Sequence, residues 1–421
     1  MRQRWLGMAL VLLATAVAVA AADKPPVDRC RECHAAFEGK LGDPAKLFAD
    51  DVHAARGLSC ADCHGGNPNE EDPTKAMDRA KGFRGTPKRS EVPTLCARCH
   101  SDGAYMRAYN PSLRTDQLAQ YWTSVHGKRL RGGDTRGAVC IDCHSVHNIR
   151  PASSPLSSVH PLHIPKTCGR CHADAEYMKP YKIPTDQLEN YQASVHNEKL
   201  QGGDLSAPTC ATCHGNHGAA PPGIGSIERV CGTCHVFQER LFDQSPHKQP
   251  WQQAKIAACL TCHSNHAVRH TSDALLGAGN DSLCLRCHSE DDPGGKTAKQ
   301  AHAALTGLDT SLQQAAAILE RAERAGMDVG EGRVTLYSGR EKLIKARVDV
   351  HALNVPNIEE TTAAGKKLAE QANLAGQQAL AERAFRRKGL ALSLVVIAFV
   401  IFALWLLIRD LEGKRTNRRT P

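Results

Sequence analysis

The stretch Cys140-Ile-Asp-Cys143-His144-Ser-Val-His147 decides how this chain folds. It begins with the pentapeptide C-x-x-C-H and ends with a second histidine three residues after the first. Two cysteines three residues apart can form thioethers with the two vinyl groups of one haem, and the adjacent histidine then reaches the iron. The stretch therefore predicts a covalently attached haem and offers a further imidazole as an iron ligand.

The same pentapeptide occurs nine times in the 421 residues and accounts for all 18 cysteines. Zinc ribbons use two C-x-x-C pairs for each metal, and nine is an odd number. A thioredoxin-type redox motif does not need the histidine, and a disulfide scaffold would not place every cysteine in one fixed pentapeptide. The sequence therefore predicts nine covalently attached haem c groups with iron. The predicted attachment cysteines are Cys30, Cys33, Cys60, Cys63, Cys96, Cys99, Cys140, Cys143, Cys168, Cys171, Cys210, Cys213, Cys231, Cys234, Cys259, Cys262, Cys284 and Cys287, and the predicted proximal ligands are His34, His64, His100, His144, His172, His214, His235, His263 and His288.

Twelve histidines lie outside the pentapeptides, enough to give each of nine irons a second histidine. Some are lone histidines before an even-numbered motif, and others extend the motif to C-x-x-C-H-x-x-H. The predicted distal ligands are the lone histidines His53, His126, His196 and His247 and the x-x-H histidines His147, His217 and His266. His160, His163 and His270 are second choices, since a surface histidine is the competing interpretation. Met106 and Met178 could also bind iron, but packing is the favoured role because the histidines suffice.

The chain contains an internal repeat. Residues 115–126 recur as residues 185–196, and each copy leads on to a haem motif. The repeats define four two-motif units at residues 30–64, 96–144, 168–214 and 231–263, with a ninth motif at residues 284–288. In the first unit, Asn67 stands where the other three units carry the x-x-H histidine.

Aromatic residues make up only 5% of the chain, a small share for a protein interior of this length. Haem motifs that follow one another so closely cannot be insulated from each other by protein, so the haems themselves are expected to form the core. The predicted fold class is mainly α with much irregular structure, little strand, short helices and a stability that depends on haem. This haem-cored domain is predicted to span residues 23–292.

Both ends of the chain carry apolar stretches. Residues 1–22 place Arg2 and Arg4 before an apolar run and three alanines, which predicts a cleaved signal peptide; an uncleaved anchor is the alternative. Residues 389–408 contain no charge and would span about 30 Å as a helix, the thickness of a bilayer core. They predict one transmembrane helix in the inner membrane, followed by a basic cytoplasmic tail at residues 409–421. The haem domain is expected on the periplasmic side.

Residues 293–388 are rich in Ala, Leu, Glu, Lys and Gln, which predicts a helical hairpin or stalk. Helices are expected over residues 296–325 and 333–354, and a third is expected to start at an Asn357 N-cap and run on into the membrane. In an antiparallel hairpin, His302 and His351 would lie at the same end. Both are included among the predicted iron ligands, with the hypothesis that one of them serves the ninth motif. Two solvated surface histidines are the alternative.

Residues 30–288 resemble the multihaem c-type cytochromes of bacterial respiration, which include the cytochrome c3-like family and the group of octahaem reductases and pentahaem nitrite reductase. The resemblance rests on the C-x-x-C-H motifs, the Ser-Val-His segments and the C-x-x-C-H-x-x-H extensions. It implies closely packed haem pairs that pass electrons along a chain. The pentahaem nitrite reductases usually carry lysine in place of the motif histidine at the catalytic haem. No C-x-x-C-K occurs here, which argues against that enzyme.

The expected function is a membrane-anchored electron relay in a hetero-complex. Electrons would enter from a quinol-oxidising membrane partner, such as a b-type cytochrome, and leave to a redox partner protein or an extracellular acceptor. One helix without ionisable residues cannot itself oxidise quinol and bind protons, so a partner subunit is implied. The alternative is a reductase or dehydrogenase that acts on nitrite, hydroxylamine or a sulfur oxyanion at one open haem, for which the first and ninth are the candidates. A structural filament subunit is disfavoured by the membrane span.

The net charge of +9 would suggest nucleic acid as a partner. The signal peptide contributes +2 of this charge and the cytoplasmic tail +3, which leaves +4 for residues 23–388. Each oxidised haem with ionised propionates adds about −1, so nine haems bring this part to about −5, and to about −14 when all are reduced. No nucleic-acid partner is therefore expected.

Overall fold

The computed structural model describes residues 28–222, 227–277 and 279–417, with side chains as far as residue 413. Within these ranges the chain is helical and contains no β-strand. It divides into two compact units. Among the described residues, the first comprises residues 28–188 and 199–221, and the second comprises residues 189–198, 222, 227–277 and 279–417. The predicted signal peptide, residues 1–22, lies outside the described residues.

The motif region consists of short helices joined by turns, which confirms the predicted mixture of helix and irregular structure. The α-helices are α1 (Arg29–His34), α2 (Asp43–Leu47), α3 (Cys60–His64), α4 (Pro73–Ala76), α5 (Val92–His100), α6 (Gly103–Tyr109), α7 (Gln117–Thr123), α8 (Val125–Arg131), α9 (Cys140–His144), α10 (Ile164–His172), α11 (Ala175–Met178), α12 (Gln187–Gln192), α13 (Val195–Gln201), α14 (Cys210–His214), α15 (Ile227–Gly232), α16 (Val236–Asp243), α17 (Lys248–Gln253) and α18 (Ala258–His263). Single 3-10 turns span Gly39–Leu41, Phe48–Asp50, Ala54–Arg56, Arg79–Lys81, Arg89–Glu91, Lys179–Tyr181, Asp273–Leu275, Cys284–Arg286 and Val350–Ala352.

Apolar packing among the motif helices of the first unit is sparse. A small cluster there joins Val92, Tyr121, Leu130 and Val139, and the Tyr121 hydroxyl donates to the carbonyl of Ala138 at 2.9 Å. Several large apolar side chains near the motifs stand exposed instead, Leu41 with 57% of its surface accessible. Protein side chains alone therefore give this region little core, as the sequence predicts for haem-cored packing.

Three long helices follow the ninth motif: α19 (Pro293–Arg324), α20 (Gly330–Asp349) and α21 (Val355–Asn417). The first two match the predicted hairpin. The third begins at Val355, two residues before the predicted N-cap, and the N–H of Asn357 donates to the side chain of Asn354 at 3.3 Å. The helix starts early because Asn354 already offers an acceptor to the first turn.

The third helix packs against both others, so the expected hairpin is a three-helix bundle. On α19, leucines and alanines three and four residues apart, among them Leu305, Leu308 and Leu312, are buried. They face a core that includes Ile358 of α21. The backbones approach closely, since a Cβ atom on Gly365 would lie 2.7 Å from a methyl carbon of Leu308.

α21 is one continuous helix of 63 residues that runs on beyond the bundle. Its large apolar side chains from Leu390 to Ile408 are exposed. This segment is long and apolar enough to cross a membrane. An exposed apolar helix of this length is unfavourable in water, and it fits a single-pass membrane anchor.

The bundle core generates a stability prediction. Replacement of Leu308 by Ala removes a fully buried side chain and is expected to lower the free energy of unfolding of the bundle by about 2–5 kcal/mol. The control is Leu374→Ala in the same bundle, where the side chain is 48% exposed and the expected cost is below about 1 kcal/mol. Guanidinium unfolding of the detergent-solubilised protein, followed by far-ultraviolet circular dichroism, measures both. Equal losses in the two variants would contradict the packing described here.

Candidate haem-binding sites

Each of the second, fourth and sixth motifs forms one helical turn that its own residues cap. The residue before the second cysteine reaches back to the N–H of the residue before the helix. Asp62 accepts from Ser59 at 2.6 Å and Asp142 accepts from Val139 at 2.7 Å, while Thr212 fills the same role in the sixth motif. In such a turn the two cysteines and the histidine share one helix face, where a single haem could bond to all three.

A left-handed residue follows the helix of each even-numbered motif. The φ angle is +72° at Gly65, +62° at Ser145, +80° at Gly215 and +59° at Ser264. Side chains other than glycine seldom adopt this conformation, so the two serines are held there by the surrounding structure. The turn redirects the chain directly after the motif histidine, and the x-x-H histidine can therefore face a motif other than its own.

The motif histidines face the predicted distal histidines in pairs. The imidazole rings of seven such pairs have centres 6.0–6.4 Å apart. The pairs are His53–His100, His64–His147, His126–His172, His144–His217, His196–His235, His247–His288 and His263–His351. Each contains one histidine from a C-x-x-C-H motif and one from outside the motifs.

This separation fits a haem iron held between two imidazoles. A metal–nitrogen distance of about 2 Å and about 1 Å from nitrogen to ring centre put two rings on opposite sides of one iron about 6 Å apart. Direct stacking of aromatic rings would allow centres as close as about 4.5 Å. The rings thus leave the space that an axially bound iron needs.

Several of these histidines donate a hydrogen bond from Nδ1, which leaves their Nε2 atoms available for iron. Nδ1 of His64 bonds to the carbonyl of Gly85 at 2.9 Å, and Nδ1 of His351 bonds to that of Val348 at 2.9 Å. A ligating histidine usually donates its other ring nitrogen in this way, which fixes the ring orientation. The Nδ1 atoms of His34, His53, His214 and His288 have acceptors as well.

Burial favours the neutral form of most of the paired histidines, and iron ligation requires that form. It lowers the pKa of nine of them, which are His100, His126, His144, His147, His172, His196, His217, His247 and His263. The pKa of His144 falls to about 4, because the imidazoles of His217 and His100 add to the effect of burial. These rings offer a lone pair to a metal at neutral pH.

Two rules describe the pairing, which the sequence left open. A lone histidine before an even motif faces the histidine of the next odd motif, as His53 before the second motif faces His100 of the third. An x-x-H histidine faces the motif histidine of the preceding even motif, as His147 after the fourth motif faces His64 of the second. These pairs therefore connect successive repeats, and the pair of His247 with His288 connects the fourth repeat to the ninth motif.

The helical bundle supplies the partner of the eighth motif. His351 lies in the 3-10 turn after α20 and faces His263 at 6.1 Å. The hypothesis that His302 or His351 serves the ninth motif needs correction, because the ring that faces His288 is that of His247. His302 instead packs against the backbone at Gly277, where a Cβ atom would come within 3.0 Å of its ring.

Neighbouring motifs also approach through their cysteines. Within a repeat the first cysteines lie close together, as Cys96 and Cys140 do. Between repeats the second cysteines are neighbours, as Cys63 is of Cys99. The same contacts join Cys168 to Cys210, Cys231 to Cys259, and Cys143 to Cys171. In each unit, consecutive haems attached at these residues would be immediate neighbours.

The remaining histidines occupy varied positions. His160 is buried and its ring centre lies 6.1 Å from that of His163, while His270 is exposed and pairs with Glu198 at 2.6 Å. The backbone N–H of His266 donates to the side chain of Asn265 at 2.7 Å. Met106 and Met178 are buried in the apolar interior, in keeping with a packing role.

Sequence reasoning missed a buried carboxylate beside one distal histidine. Asp51 accepts from His53 Nδ1 at 2.8 Å and from the N–H of Ile149 at 2.7 Å, and it is 2% exposed. Burial raises its pKa, but these bonds and one from the His53 N–H outweigh it and leave the pKa lowered, so the group is ionised at neutral pH. The spacing Asp-x-His is a weak signal, since aspartates are common at turns.

Two protein-family models match parts of the chain. The family described as Cytochrome c3 matches residues 52–173, which hold the second to fifth motifs. The family described as a doubled CXXCH motif matches residues 247–293, which hold the eighth and ninth motifs. No solved structure matches the chain.

The carboxylate at His53 generates a redox prediction. Asp51→Asn removes a negative charge from the ring nitrogen and makes His53 a weaker electron donor. The potential of the haem between His53 and His100 is expected to rise by roughly 60 mV, a tenfold change for one electron. Potentiometric titration followed by electron paramagnetic resonance measures the shift. The control is Asp50→Asn, which changes the same charge on an exposed neighbour; equal shifts in both variants would count against the role of Asp51.

The pairing of His263 with His351 generates a spectroscopic prediction. His351→Ala is expected to convert one low-spin ferric haem to high-spin, because it removes a strong-field axial ligand. His302→Ala is the matched control in the same bundle and is expected to leave every haem unchanged. Electron paramagnetic resonance of the oxidised protein distinguishes them. A high-spin signal from the His302 variant alone would reverse the assignment.

Proposed function

We propose, from the finding that the chain is a multihaem c-type cytochrome, that it carries nine haems c and relays electrons between a membrane partner and an acceptor outside the cytoplasm. A multihaem cytochrome c3-like domain implies electron transfer. The proposal adds the haem count, the orientation and the partners. The observation that carries it is the succession of histidine pairs, each placed for one iron and each connecting neighbouring repeats.

The residues of this chain would hold, orient and space the haems. Haem supplies a one-electron redox centre when bound. The motif cysteines would attach each group covalently, and the paired imidazoles would hold its iron from both sides. Two histidine ligands favour low-spin iron in both oxidation states, so little structure changes when an electron arrives or leaves. The contacts between cysteines of neighbouring motifs would keep successive groups close enough for rapid transfer.

The membrane helix supports a fixed position at the quinol pool. Residues 389–408 contain no ionisable side chain, so the helix itself offers no group to accept the protons that quinol oxidation releases. We therefore propose a membrane-embedded, quinone-reactive partner subunit, such as a b-type cytochrome. The haem domain would face the periplasm and the basic tail the cytoplasm. The acceptor would be a redox protein or an extracellular acceptor.

The negative charge of the haem-containing domain favours an acceptor with a basic docking surface. With ionised propionates, each electron that enters makes the domain more negative, as the charge count above shows. A basic docking patch on the acceptor would then bind the reduced form more tightly than the oxidised form and release it after transfer. Association is expected to weaken with rising salt.

Quinol reduction in two membrane systems tests this function. In native membranes, added quinol is expected to reduce the haems within the time of a turnover assay. In liposomes that contain only the purified full chain, quinol is expected to leave them oxidised, although dithionite reduces them in both systems. Rapid reduction by quinol in the purified system would overturn the requirement for a partner.

A further inference from the structure

The first motif has the same local features as the other motifs: a capped helix and a motif histidine oriented by a hydrogen bond. Asp28 caps its helix by accepting from the N–H of Arg31 at 3.2 Å, and its other oxygen accepts from the N–H of Cys60 at 3.0 Å. Asp28 therefore ties the first motif to the second. Nδ1 of His34 bonds to the carbonyl of Leu41 at 3.1 Å, which orients the ring as in the other motif histidines. A haem attached here would be held rigidly beside the second.

His34 differs from the paired motif histidines in what lies across from it. All 21 histidines of the sequence fall within the described residues, and no histidine ring among them faces His34. Its ring contact is with Phe37, three residues along the chain, at 6.0 Å and edge-on. Phe37 offers no donor atom to a metal.

The spare histidines of the described chain are engaged elsewhere. The rings of His160 and His163 contact each other edge-on, and Nδ1 of His163 bonds to the carbonyl of Ser157 at 3.0 Å. His270 pairs with Glu198, and His302 packs on Gly277. These four side chains are not placed to complete the first motif, and the second pairing rule assigns the fifth spare histidine, His266, to His214 of the sixth motif.

The pairing rules give the physical reason. An odd motif takes its second histidine from the lone histidine of the repeat before it, and residues 1–29 contain no C-x-x-C-H motif. Residues 1–29 contain no histidine at all. The same logic explains Asn67, because an x-x-H histidine at that position would serve an even motif before the second one, and residues 1–59 contain only the first motif. The missing second histidine and Asn67 both follow from the position of the first motif at the start of the series of haem motifs.

We propose that the haem at the first motif keeps an exchangeable sixth coordination position and that this position binds small ligands of haem iron, with carbon monoxide as the probe for the reduced form. The segment around it is reached from solvent, since Phe37 is 46% and Leu41 57% exposed. Ligand exchange at this position would take place beside the second haem, to whose motif Asp28 ties the first. The proposal needs haem at the first motif, which the proposed function also requires.

The full-length holoprotein tests the proposal in two steps. Mass spectrometry first counts the attached haems, nine being the expected number. Titration of the reduced protein with carbon monoxide is then expected to reach one ligand per chain, and the oxidised protein is expected to show one high-spin haem. His53→Ala is the positive control, since it opens a second position and is expected to raise the stoichiometry to two.

Two matched variants locate the site. Cys30→Ala with Cys33→Ala removes the first haem and is expected to lower the stoichiometry from one to zero. Cys284→Ala with Cys287→Ala removes the ninth haem at the other end of the array and is expected to leave it at one. If the double variant fails to accumulate, Cys33→Ala is used instead, because it leaves the first haem attached by one thioether and shifts the absorption band of that haem. The carbon monoxide complex of Cys33→Ala is then expected to show the shifted band. The carbon monoxide complex of Cys287→Ala, in which the ninth haem is shifted, is expected to show the unshifted band.

The outcomes separate this proposal from the function above. Nine attached haems that are all low-spin and bind no carbon monoxide would overturn the open position and leave the relay intact. Carbon monoxide binding that survives the loss of the first haem, or an unshifted complex in Cys33→Ala, would overturn its location. Eight attached haems with the first motif empty would overturn both the open position and the proposed haem count.

Discussion

This structure depends on the approach of two imidazoles from different repeats. Their rings lie at the separation that lets one iron bind both. Haem c ligands within a single repeat would leave each repeat an independent unit. Here His126 of one repeat meets His172 of the next, and the same exchange recurs along the chain. An iron held between such a pair would therefore act as a cross-link between successive repeats, which explains how a region with so few aromatic residues can hold one arrangement.

The two parts of the described chain are stabilised by different means. The bundle has a conventional core, in which Leu305, Leu308 and Ala315 are fully buried and glycines admit close helix contact. Its stability comes from apolar burial and does not need a cofactor. The motif region exposes many of its apolar side chains and relies on capped turns such as Asp142 with Val139. The change from one kind of packing to the other comes directly after the ninth motif in the sequence.

Much of this could be predicted from the sequence, because a C-x-x-C-H motif specifies its chemistry within five residues. The helices, their breaks and the set of distal histidines follow from local patterns of the same kind. Which histidine meets which motif could not be predicted, since the partners lie 39 to 88 residues apart and only the fold brings them together. Asp51 escaped notice for the same reason, because its bond to Ile149 crosses 98 residues. The packing of α21 against both other helices depends on facing glycines that carry no distinctive local pattern.

The direction of the histidine exchange bears on how the protein is made. A ribosome delivers the chain from its N-terminus, so an odd motif emerges when its second ligand, such as His53 for the third motif, is already present. An even motif emerges before its second ligand: the second motif waits 83 residues for His147, and the eighth waits 88 residues for His351. Maturation would thus pass through intermediates in which an even-numbered haem holds only one of its two histidines. The ligand set of the eighth haem would be completed last, when the helical bundle brings His351 to His263.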